Sequence, residues 1–225
     1  MKSENIPANH ESSLFMQSHS AMIRIWHWVT FVIIFGSIIT VLLTSTLMNQ
    51  RKNIVVVQDQ LKAKGLTVSE DQAFAVTREY EDKIWGVHKL LGYGIAFLLI
   101  SRIVIEIFQP GDEKLWSRIK TVLGLYNQNV GNRQEQIHFL GVRLVYLLFY
   151  ILLFCMVLTG FGLAFGRELG FSRELHGTIK NIHSLGQYLM YAFVLIHLGG
   201  VIIHENIKTN GIVSGMISGN KELGK

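Results

Sequence analysis

The sequence predicts an all-α integral membrane protein, an up-down bundle of four membrane-spanning helices. Three observations carry this. The 225 residues are 49% hydrophobic and only 16% charged, whereas soluble domains carry about a quarter charged residues. The mean hydropathy is +0.32. The apolar residues fall in four long blocks, each reaching the ~20 residues that a bilayer core of about 30 Å requires.

Residues 1–20 are a polar N-terminal segment, expected to be loose or to form one short helix. Its first thirteen residues are polar and no short apolar run ends in a small-residue cleavage site, so no signal peptide is expected. The first long block is then an anchor in its own right. That first span covers about 22–48, with no charge from Trp28 to Met48. Trp26 and Trp28 suit the interfacial belt.

Residues 49–83 are a polar connector of mixed charge. Within it, Ser69 to Asp82 reads as an amphipathic helix with Ser69 as N-cap. The second span covers about 84–108, with His88 and Lys89 near its start and Arg102 and Glu106 near its end. It stops before Gln109-Pro110-Gly111, a strong break. The mostly basic segment 111–137 has room for an interfacial helix from Glu113 to Leu125. The third span, about 138–165, has no charge between Arg143 and Arg167. Residues 166–180 form a loop, the fourth span covers about 180–204, and 208–225 form a polar tail. The bundle domain is thus 21–207. Four spans put both termini on one side, the N-side, and make successive helices alternate in direction. Such bundles hold cofactors between facing helices.

The net charge of +5 does not point to nucleic acid. Lys and Arg lie between the apolar blocks without a dense patch, as juxtamembrane flanks do. Divided at the span midpoints, the 21 Lys and Arg fall 11 on the N-side and 10 on the far side. The positive-inside rule therefore gives no orientation. The one cysteine, Cys155, lies in an apolar run. A lone thiol excludes an intrachain disulfide and a cysteine-ligated iron–sulfur cluster, and small-residue packing accounts for it.

The fourth span carries His183 and His197 near its two ends, fourteen residues apart. At about 100° and 1.5 Å per residue they lie within about 40° of one face and roughly 21 Å apart along the axis. One helix therefore offers two ligands, one to each leaflet. His27 opens the first span on the N-side and His88 opens the second on the far side. Depth alone pairs His27 with His197 and His88 with His183. Each is a two-histidine axial pair, the arrangement that holds a six-coordinate haem b. Structural zinc wants four protein ligands, usually with cysteine or carboxylate, and neither level offers them. The bundle is expected to hold two haems b.

A macrocycle between helices needs close approach to backbone. Gly92 lies one turn after His88, Gly36 lies on the first span, and Gly199 and Gly200 follow His197. Haem propionates need cations near the surface. Arg24, one turn before His27, and Arg102 are placed for this on the N-side, although snorkelling to lipid headgroups explains them equally. Lys89 and Lys180 are weaker counterparts on the far side. His204, seven residues after His197, could serve a propionate or a quinone or replace His197. His138 could relay protons beside a quinone. Interfacial placement is the simpler account of both. His10, His19 and His176 read as loop residues, and Tyr146, Phe149, Tyr150 and Phe154 as packing or lipid-facing aromatics.

These residues resemble a known family from Ala21 to Gly219, the di-haem b-type cytochrome subunits of nickel–iron hydrogenases and the related gamma subunits of formate dehydrogenases. Arg24-Ile25-Trp26-His27-Trp28 is similar to its opening motif. His88 with Gly92 and Arg102 is similar to its second span, and Thr159-Gly160-Phe161 to the end of its third. The fourteen-residue spacing of His183 and His197 and the tail from His204-Glu205-Asn206-Ile207 to Ile217-Ser218-Gly219 complete the likeness. The hydrogenase members usually carry His-Asn-Pro before the third span, where this chain has Gly131-Asn132-Arg133-Gln134-Glu135-Gln136. The identity of the partner is therefore open.

The resemblance implies a bacterial inner-membrane protein with cytoplasmic termini and two haems forming a transmembrane wire. The haem on His88 and His183 would face a periplasmic redox subunit, hydrogenase-like or another oxidoreductase. The haem on His27 and His197 would lie near a site for menaquinone or another quinone, with His138, His204 and Glu106 as proton relays. The alternative is a stand-alone membrane quinone oxidoreductase with a small soluble electron donor. A third possibility is a non-redox scaffold or sensor with interfacial histidines.

Overall fold

The computed structural model describes residues 21–108, 115–128, 131–208 and 212–218. They form seven helices, with no strand among the described residues. In order these are α1 Ala21–Thr46, α2 Gln50–Lys62, α3 Glu70–Phe108, α4 Leu115–Asn127, α5 Arg133–Phe165, α6 Arg173–Lys208 and α7 Ile212–Ser218. Four of them, α1, α3, α5 and α6, are long and apolar enough to cross a membrane. Their outward faces carry large exposed apolar side chains such as Phe35, Phe97, Leu148 and Ile196. On helices of this length those faces meet lipid. The protein is a multi-pass, all-α membrane bundle.

α1 packs against α3, α3 against α5, and α5 against α6. Small residues set the close contacts. A Cβ at Gly36 would lie 3.3 Å from Leu91, and one at Gly94 would lie 3.2 Å from Ile33, so α1 and α3 approach backbone to side chain. Trp26 Nε1 donates to the carbonyl of Leu98 at 3.0 Å, which fixes the same antiparallel register. The core is Ile34, Leu99, Leu153 and Met190, one residue from each span, with Ile38, Ile95, Phe149 and Val194 packed around it. It lies between the levels of His27 and His88 along α1 and α3.

Several parts differ from the sequence expectation, among them the loop expected over 166–180, which ends where α6 begins at Arg173 and so leaves His176 on a helix, and the third span, whose helix α5 starts at Arg133 rather than near 138. The helix expected at 69–82 is the start of α3, which runs unbroken into the membrane. Polarity changes at Ile84, but no proline interrupts the chain there, so the helical hydrogen bonds continue. The connector also holds α2, capped by Asn49, whose side chain accepts from the Lys52 N–H at 3.3 Å. α2 and the first turns of α3 form a hairpin on the far side, joined through Gly65 at φ 78°, a conformation that glycine adopts without Cβ strain. Finally, residues 212–218 of the expected polar tail form α7, which packs on α6. The carbonyl of Met216 accepts from Trp28 Nε1 at 3.1 Å. The N-terminal segment, with His10 and His19, lies outside the described residues, as does the Gln109-Pro110-Gly111 break.

Ser69 starts α3 with a reciprocal cap. Its N–H donates to Gln72 Oε1 at 2.9 Å and its Oγ accepts from the Gln72 N–H at 3.2 Å. Ser69→Ala is expected to destabilise this helix start by ~1 kcal/mol. Amide hydrogen exchange should then speed up in the first turn of α3 and stay unchanged near His88.

Candidate functional site

α6 brings its two histidines against two different helices. His183 meets His88 of α3, with ring centroids 6.5 Å apart and planes at 85°. His197 meets His27 of α1, with centroids 6.3 Å apart and planes at 56°. A metal–imidazole bond of about 2 Å, plus ~1.1 Å from ring nitrogen to centroid, spaces two facing ligand rings by roughly 6.3 Å. Both pairs have that spacing. The helix pairs that carry them, α1 with α6 and α3 with α6, are not among the closely packed pairs of the bundle. A macrocycle needs that separation between the backbones that hold it. Among the described residues no three His, Cys, Asp or Glu side chains cluster as a metal site made by protein alone. Two imidazoles complete an iron whose other four positions are filled by a porphyrin.

The far pair is held by hydroxyls. Thr40 Oγ1 lies 2.9 Å from His88 Nδ1, and Ser37 Oγ lies 3.3 Å from it. Thr159 Oγ1 lies 2.8 Å from His183 Nδ1. A Cβ at Gly160 would sit 3.5 Å from His183 Cε1, so this glycine lets the ring lie close along α5. The N-side pair sits among aromatic rings. Trp28 meets His27 edge-on at 5.6 Å, and Phe193 stacks parallel to His197 at 6.1 Å.

Arg102, fourteen residues after His88, reaches the N-side level on α3. It is committed in part to its own helix, with an ion pair to Glu106 at 3.1 Å, and it also hydrogen-bonds Tyr150. Its Nη1 is buried with no hydrogen-bond partner among the described residues. Arg24 is half-buried, one turn before His27. A Cβ at Gly92, Gly199 or Gly200 would meet no heavy atom within 4 Å, whereas one at Gly36 would touch Leu91. Gly36 thus serves helix packing. His138 and Lys180 are exposed, and the His204 side chain lies outside the described residues.

The sequence reading gave no role to Ser37, Thr40 or Thr159. Thr40 stands thirteen residues after His27, almost the spacing that carries His183 to His197. That interval on α1 marks the depth of His88. Thr159 stood in the Thr159-Gly160 motif without an assigned partner.

A family model described as prokaryotic cytochrome b561 matches residues 18–219. The chain belongs to that family. No curated protein and no solved structure matches it. As a cytochrome b561 family member, it is a membrane cytochrome b of electron transfer, and the family typically binds haem b. The two imidazole pairs are the residues that fit such a group.

Proposed function

We propose that this cytochrome b conducts electrons across the bacterial inner membrane between a periplasmic redox partner and the quinone pool, holding two haems b. His27 and His197 would hold the N-side haem, and His88 and His183 the far one. The observation that carries this reading is the two imidazole spacings, 6.3 and 6.5 Å, at opposite depths of one bundle. Haem supplies a one-electron couple whose potential depends on ligands, hydrogen bonds and burial. The chain contributes neutral imidazoles, an apolar core between the two levels, and cations at the N-side. Burial with neutral ligands disfavours net positive charge at a site, and so favours the reduced form.

Arg24 and Arg102 would take the N-side propionates. The buried Nη1 of Arg102 supports this, since an unpaired guanidinium N–H is costly. Glu106, His138 and His204 are the groups on that side that could pass protons to a quinone, menaquinone or another. The resemblance to the hydrogenase and formate dehydrogenase cytochromes supports cytoplasmic termini and a periplasmic far side. The α2–α3 hairpin stands on the far side and offers a structured surface to a partner, hydrogenase-like or another oxidoreductase.

A reduced-minus-oxidised spectrum of the purified protein tests the reading. b-type α bands and two haems per chain are expected. Absence of such bands would overturn the haem assignment. One haem per chain in fully loaded protein would overturn one of the two pairs. A stoichiometric periplasmic subunit is expected to co-purify after mild solubilisation. Its absence, with full reduction by a small soluble donor, would favour a stand-alone quinone oxidoreductase.

A further inference from the structure

Thr40 and Thr159 are placed to decide which nitrogen of each far-side histidine carries its proton. A threonine hydroxyl has one proton and two lone pairs. Thr40 Oγ1 donates to the carbonyl of Ser37 at 2.7 Å. Its proton is used, so it accepts from His88 Nδ1 at 2.9 Å. Thr159 Oγ1 donates to the carbonyl of Cys155 at 2.6 Å, and so accepts from His183 Nδ1 at 2.8 Å. Both rings are then Nδ1–H tautomers, with the lone pair of Nε2 left for a metal. The two hydroxyls come from different helices, α1 and α5. Each fixes one ring plane, and the two planes stand 85° apart.

We infer that Thr40, assisted by Ser37, and Thr159 are positioning residues for the far haem, fixing the tautomer and the near-perpendicular planes of His88 and His183. The inference rests on the proposed ligand roles of those two histidines. Two consequences follow from ligand chemistry. A hydrogen bond from Nδ1–H raises the basicity of the ligand, which favours ferric iron and holds the potential down. Perpendicular imidazoles donate into different iron d orbitals and leave them nearly degenerate. The ferric low-spin signal of the far haem then lies at a larger maximal g value than that of the N-side haem, whose ligand planes stand at 56°.

The test uses full-length protein purified with haem, as Thr40→Val, Thr159→Val and the corresponding serine variants. Haem per chain, the low-temperature electron paramagnetic resonance spectrum and a redox titration are read for each. Valine keeps the size and removes the acceptor, so one of the two ferric signals should move to lower g. One of the two couples should shift to more positive potential, giving a severalfold larger ratio of reduced to oxidised haem at the same ambient potential, where tenfold corresponds to ~59 mV. The other signal and couple should not move, because neither hydroxyl touches His27 or His197. Thr159→Val should have the larger effect, since His88 keeps Ser37 beside it. Serine should restore both readouts. A valine variant that instead loses one haem, restored by serine, supports the same role. Valine variants with both signals and both couples unchanged would overturn the inference, as would changes that serine does not reverse. Wild-type protein without haem would overturn the ligand assignment itself and is distinguished at the first measurement.

Discussion

Replacing His88 by alanine is expected to halve the haem content of the purified protein, from two per chain to one. On the proposed assignment, the far site depends on two imidazoles, whose rings lie 6.5 Å apart, one on α3 and one on α6. With His88 gone, α6 still presents His183, but α3 offers no second imidazole at that depth, and the neighbouring Lys89 is exposed. The nearest polar groups at that level, Ser37 and Thr40, are hydroxyls and weak ligands for iron. The N-side pair lies roughly 21 Å further along the bundle axis, beyond the core of Ile34, Leu99, Leu153 and Met190. Sites that far apart, with no shared partner, respond independently. The remaining haem should keep its α band and its midpoint potential. His197→Ala is the mirror experiment and should spare the far haem instead. Haem per chain by pyridine haemochrome, together with the α band and midpoint potential of the haem that remains, decides both. Loss of neither haem in His88→Ala would disprove the pairing. Loss of the same haem in both variants would break the assignment of the two pairs to two depths.

The depths were legible because helix rise and alternating direction fix them without knowledge of packing. His183 and His197 could be set at opposite leaflets from their spacing alone, and His27 and His88 followed. What depth does not give is neighbourhood. Whether Thr40 or Ser37 faces α3 depends on the rotation of α1, which Gly36 against Leu91 and Trp26 against Leu98 decide. The role of Thr159 depends on the α5–α6 register in the same way. The pairing of Arg102 with Glu106 is readable as a spacing of four on one helix, although assigning Arg102 to a propionate and Glu106 to a proton relay hides it. The start of α3 was missed for a different reason. A change from polar to apolar at Ile84 marks the bilayer surface, but it does not end a helix whose backbone bonds can continue. The Asn49 cap and the Gly65 turn are local signals, and together they would have placed α2.

Gly160 offers a graded test of how tightly the far site is built. A Cβ at this position lies 3.5 Å from His183 Cε1, an ordinary contact distance. Gly160→Ala should therefore keep two haems per chain, and within the last two turns of α5 it should stabilise the helix by up to roughly 0.5–1 kcal/mol. Gly160→Leu places three further carbons in the space held by the imidazole. Overpacking of this kind costs about 1–3 kcal/mol. The side chain that can move is His183, which α6 holds by its backbone while Thr159 holds it only through one hydrogen bond. Turning the ring away breaks that bond and widens the 6.5 Å spacing to His88. The expected result is one haem per chain, retained on His27 and His197, in protein that still purifies as a folded bundle by circular dichroism. Two haems in Gly160→Leu would show that His183 does not bind where this ring lies. Loss of haem already in Gly160→Ala would show that the far ring needs closer contact with α5 than 3.5 Å allows. In either case the position of His183 against Thr159 and Gly160 is tested without touching a ligand.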